Sequence, residues 1–246
     1  MEAIIGTAGW SIAKSEAERF PADGSALERY AARFRGAEIN SSFHRSHRAS
    51  TWERWAMSVP ENFRFSVKLP RTLTHNQKLS ECGDLLAVHL EETAPLGPKL
   101  AVHLVQLPPS LAFDAAVAES FFDMLRASSP AAIACEPRHP SWFERQADEL
   151  LRRAQVARVA ADPARVEQAA EPGGWRGLGY FRLHGSPVMY RSSYDEERLE
   201  AYAAAMRSAG ADGQPVWCIF DNTASSAATG NALSLMEKLR AEDPVE

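Results

Sequence analysis

The sequence predicts an α/β protein, a single (β/α)8 TIM-type barrel over residues 1–246. Eight short apolar runs end in a polar or glycine residue. Their ends recur about every 31 residues, the size of one strand–helix unit. Amphipathic helical patterns fill the intervals. Eight such units in ~250 residues match the dimensions of a closed parallel barrel. An open doubly wound sheet is the alternative. It would favour a G-x-G-x-x-G first turn, whereas the turn here is Gly6-Thr7-Ala8-Gly9-Trp10.

The strand candidates, in order, are Ala3–Thr7, Ala37–Asn40, Phe63–Lys68, Leu100–Gln106, Ala131–Glu136, Ala157–Asp162, Tyr180–Gly185 and Val216–Asn222. Their lengths and their Val, Ile and aromatic content suit strands rather than helices. Ser25–Phe34 places Leu27, Tyr30, Ala31 and Phe34 on one helical face, and Ser25 with Glu28 has capping-box spacing. Ser50–Val59 repeats that spacing with Glu53. Helices are also expected over Gly83–Thr93, Asp114–Ala127, Ser141–Gln155, Asp195–Ala209 and Ser225–Leu239. The interval after Asp162 is broken by Pro172-Gly173-Gly174 and leaves room only for a short helix.

Composition narrows the function classes. The net charge is −5, so no basic footprint recruits nucleic acid or an anionic membrane. Three widely spaced cysteines, with no C-x-x-C, argue against a disulfide framework and fit a reducing, cytoplasmic setting. The N-terminus lacks the basic start and apolar run of a signal peptide. No stretch approaches a membrane span.

Parallel strands in a barrel bring their C-terminal ends to one face, where barrel active sites lie. Alternation puts Glu38 with Asn40, Ser66 with Lys68, and Tyr180 with Arg182 and His184 on shared faces. The polar set is expected to face the barrel mouth, because the apolar set must meet the helices. Glu38, Glu136 and Asp162 are candidate acid/base carboxylates, and His184 a proton shuttle. Thr7, Trp10, Asn40, Lys68, Gln106, Arg138, Arg182, Asn222 and Ser225 are the candidate binding residues. The small residues after the last strand, running into a helix, suit a phosphate, and Lys68, Arg138 and Arg182 add charge. Arg182 could equally pair with Glu136 or Glu38, and Ser225 could simply cap the last helix.

The runs IGTAGWS (5–11), EINSSFHR (38–45), FRFSVKLPRTLTH (63–75), VQLPPS (105–110), CEPRHPSWF (135–143), FRLHG (181–185) and FDNTAS (220–225) resemble, together and in order, the domain-of-unknown-function 72 family, the YecE-like proteins. The resemblance implies a TIM-type barrel and no established reaction. His44 stands where many members have Tyr, and Asp221 where many have Asn. The expected function is binding of an anionic or phosphorylated small molecule, with hydrolase-like or lyase-like chemistry and no cofactor. One alternative is a metal-dependent enzyme acting on a sugar or phosphodiester, with Glu136, Asp162, His184 and Asp221 holding a divalent ion. That order of ligands looks like the sets in sugar isomerase and endonuclease IV barrels, although Arg138 and Arg182 would repel a cation. The other is a protein without turnover that binds a ligand or nucleic acid through strand-end aromatics such as Trp10 and Phe43.

Overall fold

The computed structural model describes residues 2–241. The chain starts with β1 (Ala3–Thr7), α1 (Ala26–Ala31), β2 (Gly36–Ile39), α2 (Ala49–Met57) and β3 (Arg64–Lys68). It continues through α3 (Gly83–Thr93), β4 (Leu100–Gln106), α4 (Ala115–Ser128), β5 (Ala132–Glu136) and α5 (Arg145–Arg153). The short strands β6 (Val156–Arg158), β7 (Ala160–Asp162) and β8 (Gly173–Gly174) follow. Then come β9 (Gly179–Leu183), α6 (Glu196–Ala209), β10 (Val216–Phe220) and α7 (Ala227–Ala241). The long strands pair in parallel, as strand–helix alternation requires.

The expected closed ring is not continuous. The ladders form two sheets, β1-β10-β9-β7 and β2-β3-β4-β5-β6-β8. Each of the two seams has a physical cause. Between β1 and β2, the buried Tyr30 hydroxyl accepts from the Thr7 N–H (2.8 Å) and donates to the Gly36 carbonyl (3.2 Å). A side chain thus stands where a ladder bond would run. Gly6 permits this close approach, since a Cβ there would lie 2.2 Å from the Gly36 oxygen. Beyond Tyr30 the strands meet again, through an Ala8–Glu38 bridge and a Gly9 N–H to Glu38 carbonyl bond of 2.8 Å.

The second seam splits the strand expected over Ala157–Asp162. Its first half, β6, pairs with β5, and its second half, β7, pairs with β9. The Gly173–Gly174 segment lies antiparallel on β6 and takes the position that β9 would have filled. The Arg158 guanidinium covers Gly173 so closely that a Cβ there would sit 2.0 Å from Nη2.

Apolar packing follows the strand alternation. Ile4, Val102, Leu104, Ala134, Trp217 and Ile219 form an inner cluster enclosed by the strands. Tyr180 and Trp217 stack within it, with ring centroids 6.0 Å apart and ring planes nearly parallel. Outer clusters bind the sheets to the helices, with Phe65, Phe181 and Phe220 in one and Val105, Ile133 and Cys135 in the other.

The helix starts mostly follow their signals. Ser25 and Glu28 form the full capping box, and Asp114 and Asp195 cap α4 and α6. Ser50 does not cap. The α2 helix starts at Ala49, so Ser50 already lies in its first turn. The expected Ser141–Gln155 helix is broken into a 3-10 turn (Pro140–Phe143) and α5. Ser141 Oγ is held by His139 Nδ1 at 2.8 Å and accepts from the Phe113 N–H at 2.7 Å. Trp142 is buried and donates to the Leu111 carbonyl. These contacts fix the turn before the helix can continue through it.

Candidate functional site

Arg182 is the centre of the strand-end site and is fully buried. It extends from β9 across the strand ends. Its Nε and Nη2 bind the two Glu38 carboxylate oxygens at 2.9 and 2.7 Å. Nη1 donates to Glu136 (2.7 Å) and Gln106 (3.1 Å), and Nη2 also reaches Asp221 at 3.0 Å. Three carboxylates and an amide thus share one guanidinium. Alternation makes this convergence possible, because Glu38, Gln106, Glu136 and Arg182 all sit at inward positions of β2, β4, β5 and β9. Below them the Tyr180 hydroxyl contacts Ser66 (2.8 Å) and Glu38 (3.2 Å).

His184 lies just beyond β9. Its Nδ1 is 3.0 Å from Asp221 and its Nε2 is 3.3 Å from Glu136. An ionised carboxylate only accepts, so both ring nitrogens must carry hydrogen, and the ring is an imidazolium. The titration behaviour agrees. Burial lowers the His184 pKa, but the Glu136 charge and the bonds to Asp221 and Glu136 outweigh it, leaving the pKa raised. Burial likewise opposes ionisation of Glu136 and Asp221, yet Arg182 and His184 hold both carboxyls below their usual range. Arg138 completes the group by bonding Glu136 Oε1 through Nε (3.1 Å) and Nη2 (2.9 Å).

The charges can now be balanced. Three carboxylates, Glu38, Glu136 and Asp221, face three cations, Arg182, Arg138 and His184. Lys68 is left over. It is 6% exposed, and among the described residues no hydrogen bond or ion pair reaches its amino group. Its Nζ stands 4.2 Å from the centre of the Phe43 ring. Burial, then the positive charge of Arg182, push its pKa down to about 8, against the opposing pull of the Glu38, Glu136 and Asp221 charges. His75 packs edge-on to the same Phe43 ring, 5.0 Å between centroids. Burial and the charges of Lys68, Arg71 and Arg138 keep His75 neutral at lower pH than usual. A small cleft of about 20 Å³, room for little more than one water, opens against Glu136, Arg138, His184, Arg165 and Met189. Lys68 does not line that cleft.

Several of the candidates lie elsewhere. Asp162 accepts a forked pair of bonds from Arg198 (2.9 and 3.0 Å) and one from Tyr194 (2.6 Å), which anchors α6. Thr7 is buried at the β1–β2 seam and bonds the Gly9 carbonyl. Trp10 packs against Trp55 and Phe65. Asn222 donates to the Ser192 carbonyl and Asn231, tying two loops together. Asn40 begins the 3-10 turn of Ser41–Phe43, and its Oδ1 is buried without a partner among the described residues. Ser225 is exposed in the turn before α7. The alternative set of four metal ligands is not assembled. The Arg182 guanidinium occupies the space between Glu136 and Asp221, and Asp162 is engaged with Arg198. Among the described residues no group of three or more His, Cys, Asp or Glu is placed to hold a metal ion.

Arg198 and Arg71 were not among the candidates, and Tyr190 was expected only as a strand-end aromatic for stacking on a ligand. Arg198 meets Asp162 only because α6 packs beside β7, and Tyr190 reaches within 5.7 Å of His184 from a loop. Neither has a motif. Arg71 stands three residues after Lys68 in FRFSVKLPRTLTH, so its proximity to the site was readable there.

Parallel sheets flanked by helices, with an ionic cluster at the strand ends, place the molecule among TIM-like α/β proteins. Residues 4–245 match the model of the family described as protein of unknown function DUF72, and the chain belongs to that family. It is 29% identical over 154 residues to the UPF0759 protein YecE of Escherichia coli K12, a match covering 60% of this chain and 56% of that protein. The chain spans about half the length of the E. coli relatives it matches. It is 23% identical to the UPF0759 protein YunF of Bacillus subtilis 168, across 97% of this chain and 95% of that one. Among solved structures, a DUF72 family protein of Enterococcus faecalis V583 superposes with a TM-score of 0.81 at 20% identity, covering 97% and 95% of the two chains. One from Thermotoga maritima MSB8 gives 0.79 at 23% identity, covering 98% and 100%. A xylose isomerase-like TIM barrel/4-hydroxyphenylpyruvate dioxygenase fusion protein gives 0.56 at 14% identity, covering all of this chain and 45% of that one. These likenesses concern the fold. Among the described residues no helix is long and apolar enough to cross a membrane.

Proposed function

We propose that the strand-end site binds a small anionic molecule, of which a phosphorylated metabolite is the type, and that its chemistry is hydrolase-like or lyase-like. The observation that carries this reading is the unmatched charge of Lys68. Every carboxylate of the ionic group is bonded to other cations and reaches Lys68 only through space, so an incoming anion meets an ammonium with no directly bonded internal partner. Arg71 and Arg138 add positive potential on the same side, around the neutral His75. Partial desolvation strengthens such a contact relative to one in water. His184, held as an imidazolium with Asp221 fixing Nδ1, passes a proton to a leaving group or intermediate by exchanging the longer 3.3 Å bond of Nε2 to Glu136 for one to the ligand. The two sheets are read as one (β/α)8 barrel interrupted at two seams, which puts the site at the face such barrels use.

Inorganic phosphate is the simplest probe. Calorimetric titration at pH 7 should show binding to the native protein and a roughly tenfold or greater loss in Lys68→Met, as expected for removal of one charge-assisted bond of about 1.5–3 kcal/mol. Affinity should also fall as pH rises through about 8, because Lys68 then loses its proton. Equal affinity in both proteins, or no dependence on alkaline pH, would remove Lys68 from the binding site.

A further inference from the structure

The chain has five lysines, and four of them have ordinary surroundings. Lys14 and Lys78 are exposed. Lys99 Nζ is satisfied by the Ala56 and Val59 carbonyls at 2.7 and 2.8 Å. Lys238 pairs with Glu196 and Glu200. Lys68 differs from all of them. Its stem is enclosed, its amine has no acceptor, and an aromatic ring lies beneath it. A carboxylate partner would keep the amine protonated and tether its lone pair. Here the three carboxylates of the site bond Arg182, Arg138 and His184 instead and act on Lys68 only through space. An enclosed amine without an acceptor, near like charge, spends more time with its lone pair free, which is how a lysine becomes a nucleophile.

From this geometry we infer that Lys68 forms a covalent imine with the carbonyl carbon of a small aldehyde or ketone that also carries an anionic group. The inference rests on the anion-binding reading for the second half of that description. The amine lone pair adds to the carbonyl carbon, and one amine proton passes to the carbonyl oxygen, giving a carbinolamine. That hydroxyl then leaves as water, taking the remaining N–H proton, and a C=N bond remains. No oxidant or reductant is consumed. His75 is the neutral base on the Lys68 side of the site, facing the same Phe43 ring, with its Nδ1 held by Thr74 at 2.9 Å. The anionic group of the ligand is left to Arg71 and Arg138. Protonated, the imine draws electrons from the adjacent C–H or C–C bond, the requirement for lyase-like cleavage.

The test is reductive trapping of the native protein. It is incubated at pH 7.5 with glyceraldehyde 3-phosphate and cyanoborohydride, then subjected to intact mass measurement and peptide mapping. Uncharged glyceraldehyde is run in parallel, as are Lys68→Arg and Lys68→Met, with circular dichroism reporting their fold. The expected result is one adduct at Lys68, formed at least tenfold faster than at Lys14 or Lys78, absent from both variants and slowed by inorganic phosphate. Labelling of Lys14 and Lys78 with Lys68 untouched or no faster would overturn the inference, and this is read from the native protein alone. The two readings separate cleanly. Lys68-dependent phosphate binding without an adduct sinks the imine and leaves the anion site. An adduct formed equally fast with both aldehydes and unprotected by phosphate keeps the imine and sinks the anion site.

Discussion

Arg182 and Lys68 have the same sign, lie in the same site and have opposite fates. Arg182 is enclosed by three carboxylates, and its planar fork binds both oxygens of one of them, Glu38, in a geometry a lysine cannot reproduce. It is therefore part of the fold. Arg182→Met should lower unfolding free energy by about 3–5 kcal/mol, because it strands carboxylates in a buried setting. Urea denaturation measures this, and Arg182→Lys should recover little of the loss. A variant as stable as the native protein would show that the guanidinium is dispensable to the core. Strand alternation made the meeting of Glu38, Gln106, Glu136 and Arg182 legible in the sequence, but not which of the cations would be left unmatched. That depends on His184 being charged, and its charge depends on a carboxylate at each ring nitrogen. Asp162 misled for a similar reason. Its partner Arg198 lies 36 residues further on, in a helix whose docking angle no local pattern encodes.

At the level of elements, the strands and most helices were readable from periodicity, while the seams were not. Tyr30 reads as an apolar position of α1, yet its hydroxyl takes the place of a ladder bond between β1 and β2. A second element pair carries a pH dependence. His89 on α3 and His103 on β4 are both buried, with ring centroids 6.2 Å apart. His103 Nε2 bonds Ser129, while His103 Nδ1 and His89 Nε2 have no partner among the described residues. Burial pushes the His89 pKa down to about 4 and that of His103 to about 3, the latter helped by the charges of His89 and Arg126. Both pKa values are lower folded than unfolded, so the unfolded chain binds more protons. The stability they confer is complete above about pH 6.5 and is lost as pH falls toward 4, by at most about 1.4 kcal/mol per pH unit for each ring. His184 has the opposite sign, and its contribution declines only as pH rises past 6.5. Denaturant midpoints from pH 7 to pH 4.5 should therefore fall in the native protein and fall less steeply in His89→Leu. Parallel slopes would contradict the assignment.

The whole molecule is an interrupted parallel enclosure whose inner layer passes from apolar to ionic along the strands. Trp217, Ile219 and Leu104 fill the lower part, Tyr180 with Ser66 marks the transition, and Arg182 with its carboxylates closes the upper part. A layer of this kind is tolerated because its members satisfy one another. Lys68, the buried cation of this layer left without a bonded partner among the described residues, is what the proposed site rests on. With five lysines, this is directly measurable. Reductive ¹³C-methylation followed by NMR titration gives one resolvable signal per lysine, and loss of a signal in Lys68→Arg assigns that residue. The account predicts that the Lys68 signal alone titrates near 8 and that added phosphate moves its midpoint upward. If all five signals titrate together near 10.4, the ordinary value for lysine, Lys68 is not an unmatched buried cation and the account fails.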